Sequence, residues 1–275
     1  MKLLEFIAHG LNFIPKEELL SLVELLRGSI SPSLAILVLK QIAKFIEVNA
    51  FLRTSLREAQ LFNVLSHLIS TEFETINQNR HRASSTQNSS LSDLYECVIS
   101  IIIRMLDKMP ENIRSFREAG GISALQSMLL KDDFRDLALK VFQTIILQDT
   151  HSIDVNILIE ILQTAPRSNI SLKIAIFNAL GNMFLLKESA KDAFREAGFV
   201  AAISVIINTP WPLKQEEIDA IDGGVNVMLK LFETLFSTLD CSLTNHPLNK
   251  SLLTKLIGVT AITDALRVNG ILKSE

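Results

Sequence analysis

The sequence predicts an all-α chain, a right-handed α-solenoid of stacked helical repeats, and three observations carry that expectation. The first is an echo. Ser115-Phe116-Arg117-Glu118-Ala119-Gly120-Gly121-Ile122 recurs as Ala193-Phe194-Arg195-Glu196-Ala197-Gly198-Phe199-Val200, and more loosely as Ser55-Leu56-Arg57-Glu58-Ala59-Gln60-Leu61-Phe62. Recurring segments flanked by helical sequence mean that one supersecondary unit is laid down several times. The second is spacing. The strong echoes lie 78 residues apart (194 − 116), two repeats of about 40 residues. A degenerate unit is expected between them, with Ile122, Leu125, Met128 and Leu129 reappearing as Leu158, Ile161, Thr164 and Ala165. The third is composition: hydrophobic residues make up 48% of 275, with only 7 Pro and 10 Gly, so a continuous core and long helices are both affordable.

The elements follow in order. Leu3, Leu4, Ile7, Leu11 and Ile14 share one helix face, and Pro15 ends it. Lys16 to Arg27 forms a second helix, and Ser31-Pro32 opens a third with the stripe Leu34, Leu37, Val38, Ile42 and Phe45. Ala50 to Gln60 is a short helix carrying the weak echo, and Leu61 to Phe73 is the next. Residues 74–90, in which Asn77 to Ser90 lack any large apolar side chain, are expected to be a disordered polar insertion. Leu91 to Met109 is apolar nearly all round and belongs in the centre of the array. Pro110 starts the helix of the second echo, and Ile122 to Leu130 and Asp133 to Leu147 follow. His151 to Asp154 is expected as a turn replacing the first helix of the degenerate unit, before the long helix Asn169 to Leu186. Phe199 to Ile207 precedes a Pro210-Trp211-Pro212 loop, taken as 208–217, because residues before proline avoid the helical region. Val225 to Leu239, Leu248 to Ile257 and Thr260 to Val268 complete the chain. Neither end reads as a polar solenoid cap, so residues 1–275 are expected to be one array cut in mid-repeat at both ends.

Each echo reads as a repeat corner. Phe116 and Phe194 anchor in the core, Gly120 and Gly198 close the helix in the left-handed conformation, and Gly121 leads into the next helix. Gln60 lacks that freedom, so its corner is expected to differ, while Arg117, Glu118, Arg195 and Glu196 are expected to face water. Arg57, Arg117 and Arg195 align as a ladder of cations, but a glutamate follows each and dilutes its field. Trp211 is a candidate partner anchor whose plainer reading is a core plug beneath its loop. Ser85 stands in an Arg-x-Arg-x-x-Ser spacing open to phosphorylation by basic-directed kinases, and the plainer reading there is a solvated loop.

Several function classes are excluded. With 27 Lys and Arg against 30 Asp and Glu, a formal charge of -3 lacks the basic excess that nucleic-acid binding needs. The histidines are scattered away from metal-ligand spacings, no phosphate loop or nucleophile elbow is present, and no enzyme activity, metal or cofactor is expected. Cys97 and Cys241 sit in apolar helical runs as free thiols, which suits a cytoplasmic protein. No apolar run reaches the ~18 residues of a membrane span, so membranes are met only through other parts of a longer protein.

Glu118-Ala119-Gly120-Gly121-Ile122 and its flanking helices resemble armadillo (ARM/HEAT) repeats. Asn178-Ala179-Leu180-Gly181-Asn182-Met183 is similar to the third helix of an armadillo unit, where a Trp-Ala-Leu-Ser-Asn-Leu pattern lines a peptide groove. Asn182 matches the groove asparagine; Asn178 stands where the tryptophan would be, a departure from import-type grooves. Together they are the candidate partner-binding residues. The order of Leu4-Glu5-Phe6, Leu11 to Leu19, Leu56-Arg57-Glu58, Phe116 to Gly121, Leu172-Lys173 and Phe194 to Val200 resembles the armadillo-like region of giant BEACH-domain proteins, those similar to the autophagy-linked FYVE protein, Alfy. That resemblance implies a non-catalytic protein-interaction scaffold in vesicle traffic or selective autophagy, with unidentified protein partners and membrane association through the full-length protein. The alternatives are an independent armadillo adaptor binding a GTPase or peptide, and an intramolecular spacer. A groove that is apolar or of one charge sign would favour a partner; mixed polarity would favour the spacer.

Overall fold

The computed structural model describes residues 16–28, 30–79, 85–149, 153–208, 224–258, 262–264 and 267. The expected helix before Pro15 and the Pro-Trp-Pro loop with Trp211 lie outside them. The described residues form helices and connecting turns with no strand. In chain order these are α1 (Lys16–Arg27), α2 (Pro32–Val48), α3 (Leu52–Glu58), α4 (Leu61–Asn79), α5 (Ser85–Leu106), α6 (Pro110–Glu118), α7 (Gly121–Leu129) and α8 (Arg135–Gln148). They continue as α9 (Ile153–Thr164), α10 (Ile170–Leu186), α11 (Glu188–Glu196), α12 (Phe199–Asn208), α13 (Gly224–Leu243) and α14 (Pro247–Leu256). The contacts of the chain gather into two compact units, 1–144 and 145–275.

Within each unit a helix packs on the one three places later. In the first unit α1 meets α4, α2 meets α5, α3 meets α6 and α4 meets α7; in the second, α9 meets α12, α10 meets α13 and α11 meets α14. This is the contact pattern of a three-helix repeat, in which equivalent helices of neighbouring repeats stack. Burial fixes the register. Leu94, Tyr95, Val98, Ile99, Ile101, Ile102, Met105 and Leu106 of α5 are all buried, and so is every residue found by adding 40, from Phe134 to Ile146. Adding 38 to those positions gives Leu172 to Phe184 of α10, again buried at each one. Together 40 and 38 make the 78 residues between Phe116 and Phe194. The third helices therefore bury one shared pattern, which positions their remaining faces equivalently.

The second helices correct the sequence register. Thr164, expected to match buried Met128, is exposed; Gly121, Ala124, Leu125 and Met128 of α7 correspond instead to Val155, Leu158, Ile159 and Leu162 of α9, an offset of 34. Ile153 and Asp154, expected in a turn, begin α9, while 151–152 lie outside the described residues. The polar stretch 74–90 is helical at both ends: α4 runs to Asn79 and α5 starts at Ser85, with 80–84 not described. Each helix is anchored by its buried part, Leu65 and Ile69 in α4 and Leu94 and Val98 in α5. Extending an anchored helix costs little compared with nucleating one, so a polar composition alone did not end them.

Candidate functional site

The repeat corner is built the same way at all three echoes. Ala59, Ala119 and Ala197 donate their backbone N–H to the carbonyls of Ser55, Ser115 and Ala193, and Gln60, Gly120 and Gly198 donate to Arg57, Arg117 and Arg195. The next helix starts from the same residue, since the Gln60, Gly120 and Gly198 carbonyls accept from Asn63, Ala124 and Ala202. Gly120 has φ +72° and Gly198 +89°, as expected for left-handed closure. Gln60 overturns the expectation that its corner differs: it takes φ +59° and closes the turn as the glycines do. The two closing bonds match those of the glycine corners and hold it there against the steric preference of a side chain, while its carbonyl accepts from the residue three on instead of four. Phe116 and Phe194 are fully buried, the former edge-on to Phe62 at 5.5 Å and the latter edge-on to Phe184 at 5.4 Å.

A second corner joins α5 to α6 and α13 to α14, and the sequence reading missed it. Lys108 and Asn245 have φ +55° and +58°; Met109 and His246 donate to Leu106 and Leu243; Pro110 and Pro247 then start α6 and α14. Two residues on, Asn112 and Asn249 are buried and donate Nδ2 to Met105 O (2.7 Å) and Ser242 O (2.9 Å), each seven residues back. Each amide thus satisfies a carbonyl at the end of the preceding third helix. The signal was present as Pro-x-Asn at 110–112 and 247–249.

Cations that might have served a ligand are turned onto helix ends instead. Arg53 Nη1 donates to Arg104 O (3.2 Å) and Asp107 O (2.7 Å), Lys191 Nζ to Thr244 O (2.8 Å), and Arg135 Nε to Leu129 O (3.0 Å). Lys173, at the position equivalent to Arg135, donates to Ala165 O (2.9 Å) and Pro166 O (2.7 Å). Its burial lowers the ammonium pKa to about 8. These contacts neutralise the negative ends of helix dipoles. The arginine ladder is not an open row: Arg57 donates to Asn112 Oδ1 (3.4 Å), and Arg195, expected to face water, is mostly buried and pairs with Asp192 (2.8 Å) and Glu196 (3.3 Å).

What remains open is the groove between the third helices α2 and α5, a cavity of about 500 Å³. Leu39, Ala43 and Cys97 supply its apolar lining; Lys40, Lys44 and Glu47 come from α2, and Asp93, Glu96, Ser100 and Arg104 from α5. Arg104 pairs with Glu47 across the groove. Burial raises the Cys97 thiol pKa above its ordinary value, with Lys40 opposing the shift and Asp93 and Glu96 adding to it. Cys97 is therefore a neutral thiol at neutral pH. The groove carries both charge signs, so it is neither the one-sign nor the apolar groove expected of a partner site. Once the Arg104–Glu47 pair is set aside, however, the signs are sorted by helix.

The repeat register carries Ser100 onto Asn178 and Arg104 onto Asn182 (both +78). Both asparagines are exposed on α10, one turn apart, in the row lined in the first unit by groove residues. Leu185 and Leu186, 72% and 71% exposed, extend the open surface at the end of that helix. Ser85 is the first residue of α5, and Trp211 is not among the described residues. Among the described residues no group of three or more His, Cys, Asp or Glu is placed to hold a metal ion, and no helix is long and apolar enough to cross a membrane. The groove was legible only in retrospect, by applying the 60-residue offset (116 − 56) to the third helices, which aligns Lys40 with Ser100 and Lys44 with Arg104.

No family model matches the chain. It is 24% identical over 99% of its length to Protein SPIRRIG of Arabidopsis thaliana, covering 9% of that protein. It is 21% identical, again over 99% of its length, to BEACH domain-containing protein A2 of the same plant, also covering 9%. The chain thus corresponds to a small part of each of these much longer relatives. Among solved structures it is similar to engineered proteins of the Northeast Structural Genomics Consortium. One has a TM-score of 0.48 at 14% identity, covering 94% of this chain and 99% of the other; a second has 0.46 at 14%, covering 90% and 53%.

Proposed function

We propose that the chain is the armadillo-like segment of a BEACH-family protein related to the Alfy type, and that it works as a non-catalytic docking scaffold in vesicle traffic or selective autophagy. The observation that carries this reading is the similarity to BEACH domain-containing protein A2 over 99% of the chain and 9% of that protein. A stretch matched from end to end yet so small a share of its relative behaves as one module of a longer polypeptide. The fold is compatible with this: in each unit the third helices bury one face alike, and on this reading the opposite face takes the partner. On this reading the protein is cytoplasmic and reaches membranes through other parts of the parent.

The test compares tagged full-length parent with a form lacking residues 16–258, isolating both from cells and reading their co-purifying proteins and their share in vesicle fractions. Loss of a defined set of partners, with the parent still present at normal abundance, is expected. An unchanged partner set would contradict the scaffold reading and favour the intramolecular spacer.

A further inference from the structure

We propose that the corner between α13 and α14 is a proton-operated latch, in which neutral His246 holds the start of α14 capped against α11 and protonated His246 releases it. His246 is buried and is the N-cap of α14: its Nδ1 accepts from the backbone N–H of Asn249 at 3.2 Å. A backbone N–H can only donate, so Nδ1 carries no proton and the ring hydrogen sits on Nε2. Nε2 in turn stands 3.3 Å from Asp192 Oδ1 on α11, an oxygen that also accepts from Arg195 Nη2 at 2.8 Å.

The first unit builds the same corner without the titrating pair. Arg53 and Lys191 are equivalent and donate to the carbonyls of Asp107 and Thr244, while Asn112 and Asn249 bond back to Met105 O and Ser242 O. In that register Thr54 and Met109 stand where the second unit has Asp192 and His246. Arg57 donates to Asn112 Oδ1, whereas its equivalent Arg195 is turned to Asp192, and the buried Asn249 Oδ1 has no hydrogen-bond partner among the described residues. The Asp192–His246 pair thus diverts an arginine that in the first unit closes the corner.

A proton on Nδ1 removes the acceptor and sets two donors against each other. The new positive charge also lies at the N-terminus of α14, where the helix dipole opposes it. Asp192 offsets little of this, being 46% exposed and already paired with Arg195. Of the other charged groups on the helices packed against the corner, Lys191 on α11 is held by Thr244 O and Glu188, Glu196 on α11 is held by Arg195, and Asp240 on α13 and Lys250 on α14 are exposed. α12 carries none. Charging of the imidazole, which for histidine falls within the physiological range, therefore uncaps α14 and frees Arg195 for Asn249 Oδ1.

This goes beyond the docking-scaffold reading and stands independently of it. The test is hydrogen exchange of the full 275-residue chain, followed in the segments of α14 and α6 at about pH 7.5 and about pH 5.5 and corrected for the intrinsic pH dependence of exchange. Acidification is expected to speed exchange in α14 severalfold relative to α6, whose cap position holds Met109. His246→Asn, which caps with an oxygen that does not titrate, is expected to abolish that difference. Equal loosening of α14 and α6, no loosening of α14, or a His246→Asn chain that responds as the parent does would overturn the proposal. A readout on the parent alone is nitrogen NMR of the His246 ring at the higher pH: the Nε2–H tautomer is expected, and the Nδ1–H tautomer would overturn the latch whether or not the variant folds.

Discussion

A Cβ built on Gly121 would lie 2.3 Å from Cε2 of Phe116, so the phenylalanine ring fills the space that any side chain at 121 would need. Phe116 is fully buried and held edge-on by Phe62 at 5.5 Å, which leaves the ring no easy retreat. Gly121→Ala is therefore expected to overpack the corner and cost about 1–3 kcal/mol. The third echo has Phe199 at this place and tolerates it through a different packing, with the Phe194 and Phe199 rings 6.5 Å apart. Urea unfolding reads the effect as a lowered midpoint at unchanged slope. A midpoint equal to the parent's would mean that the Phe116 ring is free to move.

Lys173 gives a pH prediction with a definite sign. Its folded pKa is lowered by burial from 10.5 to about 8. Between those values the unfolded chain keeps a proton that the folded chain has released, so raising the pH favours folding. The neutral amine retains N–H donors for Ala165 O and Pro166 O. The parent should gain up to about 1.4 kcal/mol per pH unit over Lys173→Met across this window. Other titrating groups are common to both proteins and cancel. Urea midpoints for the two chains at each end of the window provide the check, and a constant difference between them would contradict the assignment.

Asn112 ties the start of α6 to the end of α5 through its Nδ2 bond to Met105 O, and it is fully buried. Asn112→Ala leaves that carbonyl without its donor and is expected to cost about 1–3 kcal/mol. Asn112→Asp should do no better, because a carboxylate cannot donate. An aspartate variant as stable as the parent, by thermal melting, would show that the amide bond contributes little.

How far the molecule was legible in the sequence depended on whether a residue type marks its own role. Phe116, Gly120 and Gly198 do, because a buried ring and a left-handed turn leave few choices of side chain. Lys108 and Asn245 take the same left-handed conformation at the second corner without a glycine to announce it, and that corner was not found. Gln60 shows the converse: a side chain was read as an obstacle, and the surrounding hydrogen bonds overrode it. The groove was illegible for a tertiary reason. Lys40 and Glu96 stand far apart in sequence and meet only because α2 and α5 stack as third helices. Asn178 and Asn182, singled out by the resemblance of their segment to an armadillo third helix, are exposed on α10, whereas nothing local distinguishes Lys173, turned inward onto carbonyls, from an ordinary surface lysine.

The central claim is that one repeat frame recurs along the chain, with the corner at each echo closed by a left-handed residue whatever the side chain there. Gly198 has φ +89° and nothing within 4 Å of where a Cβ would stand, so Gly198→Val meets backbone strain with no clash at Cβ; a loss of roughly 1 kcal/mol or more follows. Gln60 already bears such strain at φ +59°, and Gln60→Gly should recover up to about 1 kcal/mol. The decisive measurement is the melting temperature of these two variants beside the parent. The account predicts shifts of about 2–4 °C in opposite directions, down for Gly198→Val and up for Gln60→Gly, and shifts of the same sign, or none, would contradict it.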